Sequence, residues 1–274
     1  MTTQFDDPRT VLLYPDEKML VNVVATRMLL RISDLLQLQD RVDIALTGGT
    51  DGIAVLEAAS HNPLQDAIDF SRVHFWWGDE RFVQADDADR NALQARQAWL
   101  DTLVKNGKLP ESNIHEMPAD TRTRDDADNA SDATNDDILA EAARSYQSEL
   151  EYEIGTEGSL DIALFGVGPD GHFASLFPGR DEVLISDDSI KAVGVSHSPK
   201  MPPLRVSLTV PFIQQSESVW VFAAGERKAD AVSRALGSAD NHHVPSSYAR
   251  GTQESLWMID EAAASNIDDT EEAA

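Results

Sequence analysis

The chain alternates between short apolar runs of strand length and longer stretches whose apolar residues recur at helical intervals. Residues 16–39 place Leu20, Val23, Val24, Leu30 and Leu35 at such intervals behind Pro15 and Asp16, which predicts an opening helix. The runs 42–46 and 73–77 are predicted as buried strands, with a helix over 53–60 between them and another over 91–105 beyond. Helical spacing returns over 138–152 and again over 225–236. Further strands are predicted at 160–165, 192–195, 206–209, 219–223 and 256–259, the last running into an Ala-rich helical end. Strands and helices alternating at these lengths predict an α/β fold: a Rossmann-like, open, largely parallel sheet flanked by helices. The chain shows no internal repeat and no interdomain linker, so a single domain over 1–264 with an acidic tail over 265–274 is expected. Residues 119–137 hold seven Asp and two Arg with almost no apolar side chains, and are expected to form a solvated loop insertion.

Composition narrows the partners. A chain of 274 residues can bury a sizeable core. The absence of cysteine excludes a disulfide framework and a thiolate metal site. The first residues lack the basic start and apolar stretch of a signal peptide, and no apolar run approaches membrane-spanning length, so a cytoplasmic location is expected. A net charge of −26 argues against nucleic acid and anionic membrane as partners, and it bears on any small-molecule substrate as well. If that substrate is anionic, local cations must overcome the overall field, and the chain has only 22 Lys and Arg to supply them. Basic residues inside glycine- or proline-rich turns are therefore the ones to follow.

Three predicted strands end in polar, glycine-bearing turns. In a parallel sheet those ends share one edge, where open α/β folds bind their ligands. Behind the strand at 160–165 comes Gly166-Val-Gly-Pro-Asp-Gly-His172, in which Asp170 and His172 are close enough for the carboxylate to orient the ring. A histidine so held is a ready general base near neutral pH. Gly171, with Gly166 and Gly168, lets the backbone take positive φ and approach a bound group. Gly48-Gly49-Thr50 before a helix offers backbone N–H groups and a helix N-terminus, a seat for phosphate. It lacks the Gly-Lys-Ser/Thr of a P-loop and the spacing of a dinucleotide fingerprint, and taken alone its default reading is a tight structural turn.

Gly78-Asp79-Glu80-Arg81 places three charges after an aromatic strand; Asp79 and Arg81 are candidate ligands, and a solvated ion pair is the plainer alternative. In Ser198-Pro199-Lys200-Met201-Pro202-Pro203-Leu204-Arg205 the prolines stiffen the chain around Lys200 and Arg205, which suits anion binding. Lys228 opens a helix behind Gly225, where it works against the helix dipole, a small penalty that favours a functional role. The adjacent His242 and His243 cannot both face one ion from a regular helix or strand, so no metal site is read.

Taken in order, these segments resemble the 6-phosphogluconolactonase family. The resemblance rests on Leu46-Thr47-Gly48-Gly49-Thr50, on Trp77-Gly78-Asp79-Glu80-Arg81-Phe82-Val83 with Asn91, and on residues 166–179. It extends to Ser198-Pro199-Lys200 with Pro202, Pro203 and Arg205, to Gly225 with Lys228, and to Leu256-Trp257-Met258-Ile259-Asp260. It implies the sugar-phosphate isomerase type of α/β fold and hydrolysis of 6-phospho-D-glucono-1,5-lactone to 6-phosphogluconate, a step of the oxidative pentose phosphate pathway. It implies no metal and no cofactor. His172 would be the base and Asp170 its orienting partner; Arg205 and Lys228 would hold phosphate beside the backbone of residues 48–50, and Gly171, Asp79 and Lys200 would line the substrate. Arg81 would serve either the oxyanion or the phosphate. Glucosamine-6-phosphate deaminases share the fold, but their turn continues to a further acid where this chain reads Phe173-Ala174-Ser175-Leu176-Phe177-Pro178-Gly179. A deaminase or isomerase, and a non-enzymatic sugar-phosphate sensor, are the alternatives. A monomer or a homodimer is expected.

Overall fold

A computed structural model describes residues 9–237 and 240–267. β1 (Arg9–Tyr14) leads into α1 (Glu17–Leu38), then β2 (Val42–Leu46), α2 (Gly49–His61), β3 (Val73–Trp77) and β4 (Asp79–Arg81). α3 (Asn91–Ala95) passes through a π-helical turn (Arg96–Leu100) into α4 (Asp101–Lys105), followed by α5 (Arg124–Asp128) and α6 (Asp132–Ile154). The remainder is β5 (Ile162–Gly166), β6 (Ala192–Val195), β7 (Arg205–Leu208), α7 (Val210–Gln215), β8 (Ser218–Ala223), α8 (Ala229–Leu236) and β9 (Glu254–Asp260).

Six strands form one sheet in the order β1-β9-β8-β5-β2-β3, every neighbouring pair parallel. β2 and β8 are buried along their whole length, the mark of parallel strands covered on both faces. α1 begins where the Asp16 side chain accepts from Met19 N at 2.7 Å, and it buries Leu20, Val24, Met28, Leu29, Ile32 and Leu35. Leu30, read above as part of that face, points outward and is 46% exposed.

A second, three-stranded sheet in the order β4-β7-β6 is antiparallel. Gly78 is the passage between the two: its N–H donates to Leu46 O and its carbonyl accepts from Leu208 N, each at 2.9 Å. A Cβ there would collide with the ring of Phe165. The segment read as a charged turn over 78–81 is thus a glycine hinge and a short strand.

Other expectations are corrected. The helix expected at 53–60 starts at Gly49, so the glycine turn is also its first turn. The acidic stretch is folded rather than a loop. Asp120, 4% exposed, accepts from the backbone N–H and the guanidinium of Arg122. Thr123 caps α5 and Ser131 caps α6, whose first turn begins six residues before the predicted one, at Asp132. Carboxylates at a helix N-terminus meet its positive dipole end, which is why an acidic run without apolar residues still winds into helix. The Ala-rich end over 261–267 is a series of turns, and residues 268–274 of the predicted tail lie outside the described residues. Among the described residues no helix is long and apolar enough to cross a membrane.

Candidate active site

In the main sheet β2 passes to β3 on one side, while β5 passes to β8 on the other. The crevice at the carboxyl ends of β2 and β5 is therefore a topological switch point, the place where such sheets bind ligands. A cavity of about 590 Å³ opens there. Gly48, Gly49, Thr50, Asp79, Arg81, His172, Lys200, Arg205 and Lys228, all singled out from the sequence, line it. Gly171 does not line it; its left-handed backbone (φ +90) turns the chain, and its carbonyl accepts from Ser246 N at 2.9 Å.

The turn behind β5 is closed by Gly168 N donating to His172 O at 2.9 Å and Gly171 N to Gly168 O at 2.8 Å. A side chain at Gly168 would collide with the His172 ring and the Asp170 carboxylate, so glycine is what lets that pair form. His172 Nδ1–H donates to Asp170 Oδ1 at 2.5 Å, and the ring rests on Phe177 with centroids 4.7 Å apart. With the proton on Nδ1, Nε2 carries the lone pair of the ring. Lys200 Nζ lies 3.2 Å from Asp170 Oδ1 and 3.1 Å from His172 Nδ1. Burial alone would raise the Asp170 carboxyl, but the hydrogen bond from His172 and the charges of His172 and Lys200 outweigh it and hold the group well below the usual carboxylate range.

On the opposite wall Gly48 caps α2 without a side-chain bond, leaving the first N–H groups of that 13-residue helix facing the cavity. Lys228 Nζ meets Asp51 Oδ2, in that same turn, at 2.5 Å. Arg205 stands directly opposite Arg81 in the β4–β7 pairing. Its Nε donates to Pro202 O at 2.7 Å and its Nη2 to Lys200 O and Met201 O at 3.2 and 3.1 Å, so part of its guanidinium shapes the proline loop. Burial pushes its pKa down, against the pull of Asp79. Two like charges facing across a strand pair repel, and an anion between them relieves that. The lining holds five Lys or Arg against four Asp or Glu, a local excess of cations in a chain of net charge −26.

Four supporting residues carried no role in the sequence reading. Glu80, fully buried, accepts from Arg81 N and Asn91 N, both at 2.7 Å, and from Ala92 N at 2.8 Å, which fixes the backbone of Arg81. Burial raises its carboxyl to about 7 against the opposing pull of Arg90 and those N–H groups. Ser175 donates to Asp79 Oδ2 at 2.6 Å and so joins the turn behind β3 to the turn behind β5. Asn91 donates to Asp79 O at 2.9 Å, and its amide packs so closely on Gly48 that no side chain fits there. Asp51 is the fourth. No short motif announces the contacts of Ser175 and Asp51, which join segments 96 and 177 positions apart.

The profile of the glucosamine-6-phosphate isomerases/6-phosphogluconolactonase family matches residues 15–258. The chain is 38% identical over 267 residues to a 6-phosphogluconolactonase of Streptomyces coelicolor, covering 96% of this chain and 95% of the relative. It is 39% identical over 259 residues to a 6-phosphogluconolactonase of Mycobacterium leprae, covering 94% and 98%. In fold it is similar to the solved 6-phosphogluconolactonase from Trypanosoma brucei, with a TM-score of 0.80 over 95% of this chain and 99% of the other at 24% identity.

Proposed function

This chain belongs to the glucosamine-6-phosphate isomerase/6-phosphogluconolactonase family, and we propose that it hydrolyses 6-phospho-D-glucono-1,5-lactone to 6-phosphogluconate with His172 as general base. The observation that carries this reading is His172, which lines a cavity rich in cations and is bonded to Asp170 at 2.5 Å. His172 Nε2 takes a proton from water as the water oxygen attacks the lactone carbonyl carbon. Asp170 stabilises the imidazolium that forms. When the tetrahedral intermediate collapses, the bond to the ring oxygen breaks and His172 returns the proton to that oxygen. The product is a carboxylic acid with a free hydroxyl. A lactone carbonyl is already electrophilic, so none of these steps requires a metal ion.

Phosphate sits on the free N–H groups at the start of α2, with Lys228 and the open side of Arg205 as its cations. Arg81 faces the developing oxyanion, held in place through Glu80. Thr50, Asp79 and Lys200 complete the contacts to the sugar. The test is lactone opening by the purified chain, measured above the spontaneous rate, beside His172→Ala. Acceleration by the wild type that falls by about 10²-fold or more in the variant is the expected result. No acceleration of the lactone, with ammonia released from glucosamine 6-phosphate instead, rejects the reading in favour of a deaminase.

A further inference from the structure

Away from the cavity, on the other edge of the sheet, three side chains that no short-range pattern joins come together. His74 sits near the start of the edge strand β3, His115 follows the bridge between Phe75 and Ile114, and Glu153 lies at the end of α6. A nitrogen of each imidazole and a carboxylate oxygen of Glu153 all lie within 4.8 Å of one another. We infer that His74, His115 and Glu153 form a binding site for a divalent transition ion of the zinc class, separate from the proposed active site.

The donor set is the first argument. Two imidazoles and one carboxylate, with a fourth position for water, are a recurrent zinc ligand set, and imidazole selects Zn²⁺, Co²⁺, Ni²⁺ or Cu²⁺ over Mg²⁺ and Ca²⁺. The second argument is the outer contacts. His115 Nδ1–H donates to Glu149 Oε1 at 2.8 Å, which leaves Nε2 as the nitrogen with the lone pair. Ligating histidines are oriented by a carboxylate in this way. The His115 ring is further clamped flat on Trp76, with centroids 3.9 Å apart. Glu153 accepts from Arg41 through Oε2, which leaves Oε1 for a metal.

The geometry is close to that of a loaded site. His74 Nδ1 and His115 Nε2 are 2.9 Å apart, joined by the one proton that lies between them. Two nitrogens each about 2.0–2.1 Å from a tetrahedral zinc are about 3.3 Å apart, so the rings must separate by roughly 0.4 Å. The displaced proton moves to Nε2 of His74, and that ring stays neutral. Charge agrees as well: Glu149, Glu153 and Asp43 surround the cluster, and among the described residues Arg41 is the cation paired with them, at 2.8 and 2.9 Å from Asp43 and Glu153. A divalent cation restores the balance.

The test is calorimetric titration of Zn²⁺ into the chelator-stripped full chain, in excess Mg²⁺ to occupy its acidic surface. One equivalent should bind, and the thermal midpoint should rise with it. His74→Asn and Glu153→Gln should each weaken binding at least tenfold and remove the thermal shift. Glu149→Gln should weaken it about 10–100-fold, the effect of losing an orienting carboxylate. His172→Asn should leave this equivalent intact. No binding in excess Mg²⁺ would overturn the inference. So would binding that survives His74→Asn and Glu153→Gln, or that is lost only in His172→Asn.

Discussion

Replacing Asp170 by Asn tests the proposed chemistry at its narrowest point. In the wild type two groups compete for Nδ1 of His172: Asp170 Oδ1 at 2.5 Å, which can only accept, and Lys200 Nζ at 3.1 Å, which can only donate. The carboxylate wins, so the proton stays on Nδ1 and Nε2 keeps its lone pair for water. An Asn at 170 carries no charge to hold either the imidazolium or Lys200, whose ammonium also lies 3.2 Å from Oδ1. Lys200 then donates to Nδ1, the ring proton shifts to Nε2, and the base is lost. A positioned general base contributes on the order of 10²–10⁴ in rate. The whole of that range is at stake, so Asp170→Asn should lower kcat by at least about 10²-fold. The substitution is isosteric and Asp170 is not among the residues that line the cavity, so the fold and KM should change little. Adding Lys200→Met removes the competing donor and should recover part of the loss in kcat. The assay is lactone hydrolysis with the spontaneous rate subtracted, alongside a thermal melt. A single variant within about threefold of wild-type kcat would refute the tautomer argument, given the size of effect expected of a base. A double variant slower than the single one would refute the role given to Lys200.

Lys228→Ala should raise KM for the phosphorylated lactone about tenfold or more, the value of a charged hydrogen bond, and leave unphosphorylated gluconolactone unaffected. Asp51→Asn frees Lys228 from its 2.5 Å contact and should lower KM for the phosphorylated substrate; steady-state kinetics on both substrates check the pair. Gly168→Ala forces a side chain into the His172 ring and should cost about 10²-fold in kcat through misplacement of the base, read in the same assay. Because the folded Asp170 carboxyl is held below its ordinary value, its stabilisation is complete above that value and is lost as pH falls through the folded one. Thermal melts from pH 5 downward should therefore fall more steeply for wild type than for Asp170→Asn.

Much of this protein was legible along the chain. β2, β3 and β6 occupy the predicted spans because each is a short, mostly apolar run bounded by polar turns. β1 was missed: it is an edge strand with a half-exposed pattern, and only its pairing with β9 identifies it. The start of α6 was missed because its first turns face solvent and carry acids, so the apolar period begins only at Ile138 while the cap stands at Ser131. Spacing alone brought Asp170 to His172, since two residues in one turn must be neighbours.

What the sequence by itself determined is the local chemistry: which turns carry glycine, which carry charge, and which histidine has a carboxylate two positions away. Only the tertiary structure decided which charges meet. Lys228 and Asp51 are 177 positions apart, Ser175 and Asp79 are 96 apart, and His74 and His115 are 41 apart. The physical reason is range. Hydrogen bonds and ion pairs act over a few ångströms, and a pattern of apolar residues specifies which face of a strand or helix is buried. The order and register in which strands pair, set by the packing of the whole core, then decide which side chains stand within those few ångströms of each other.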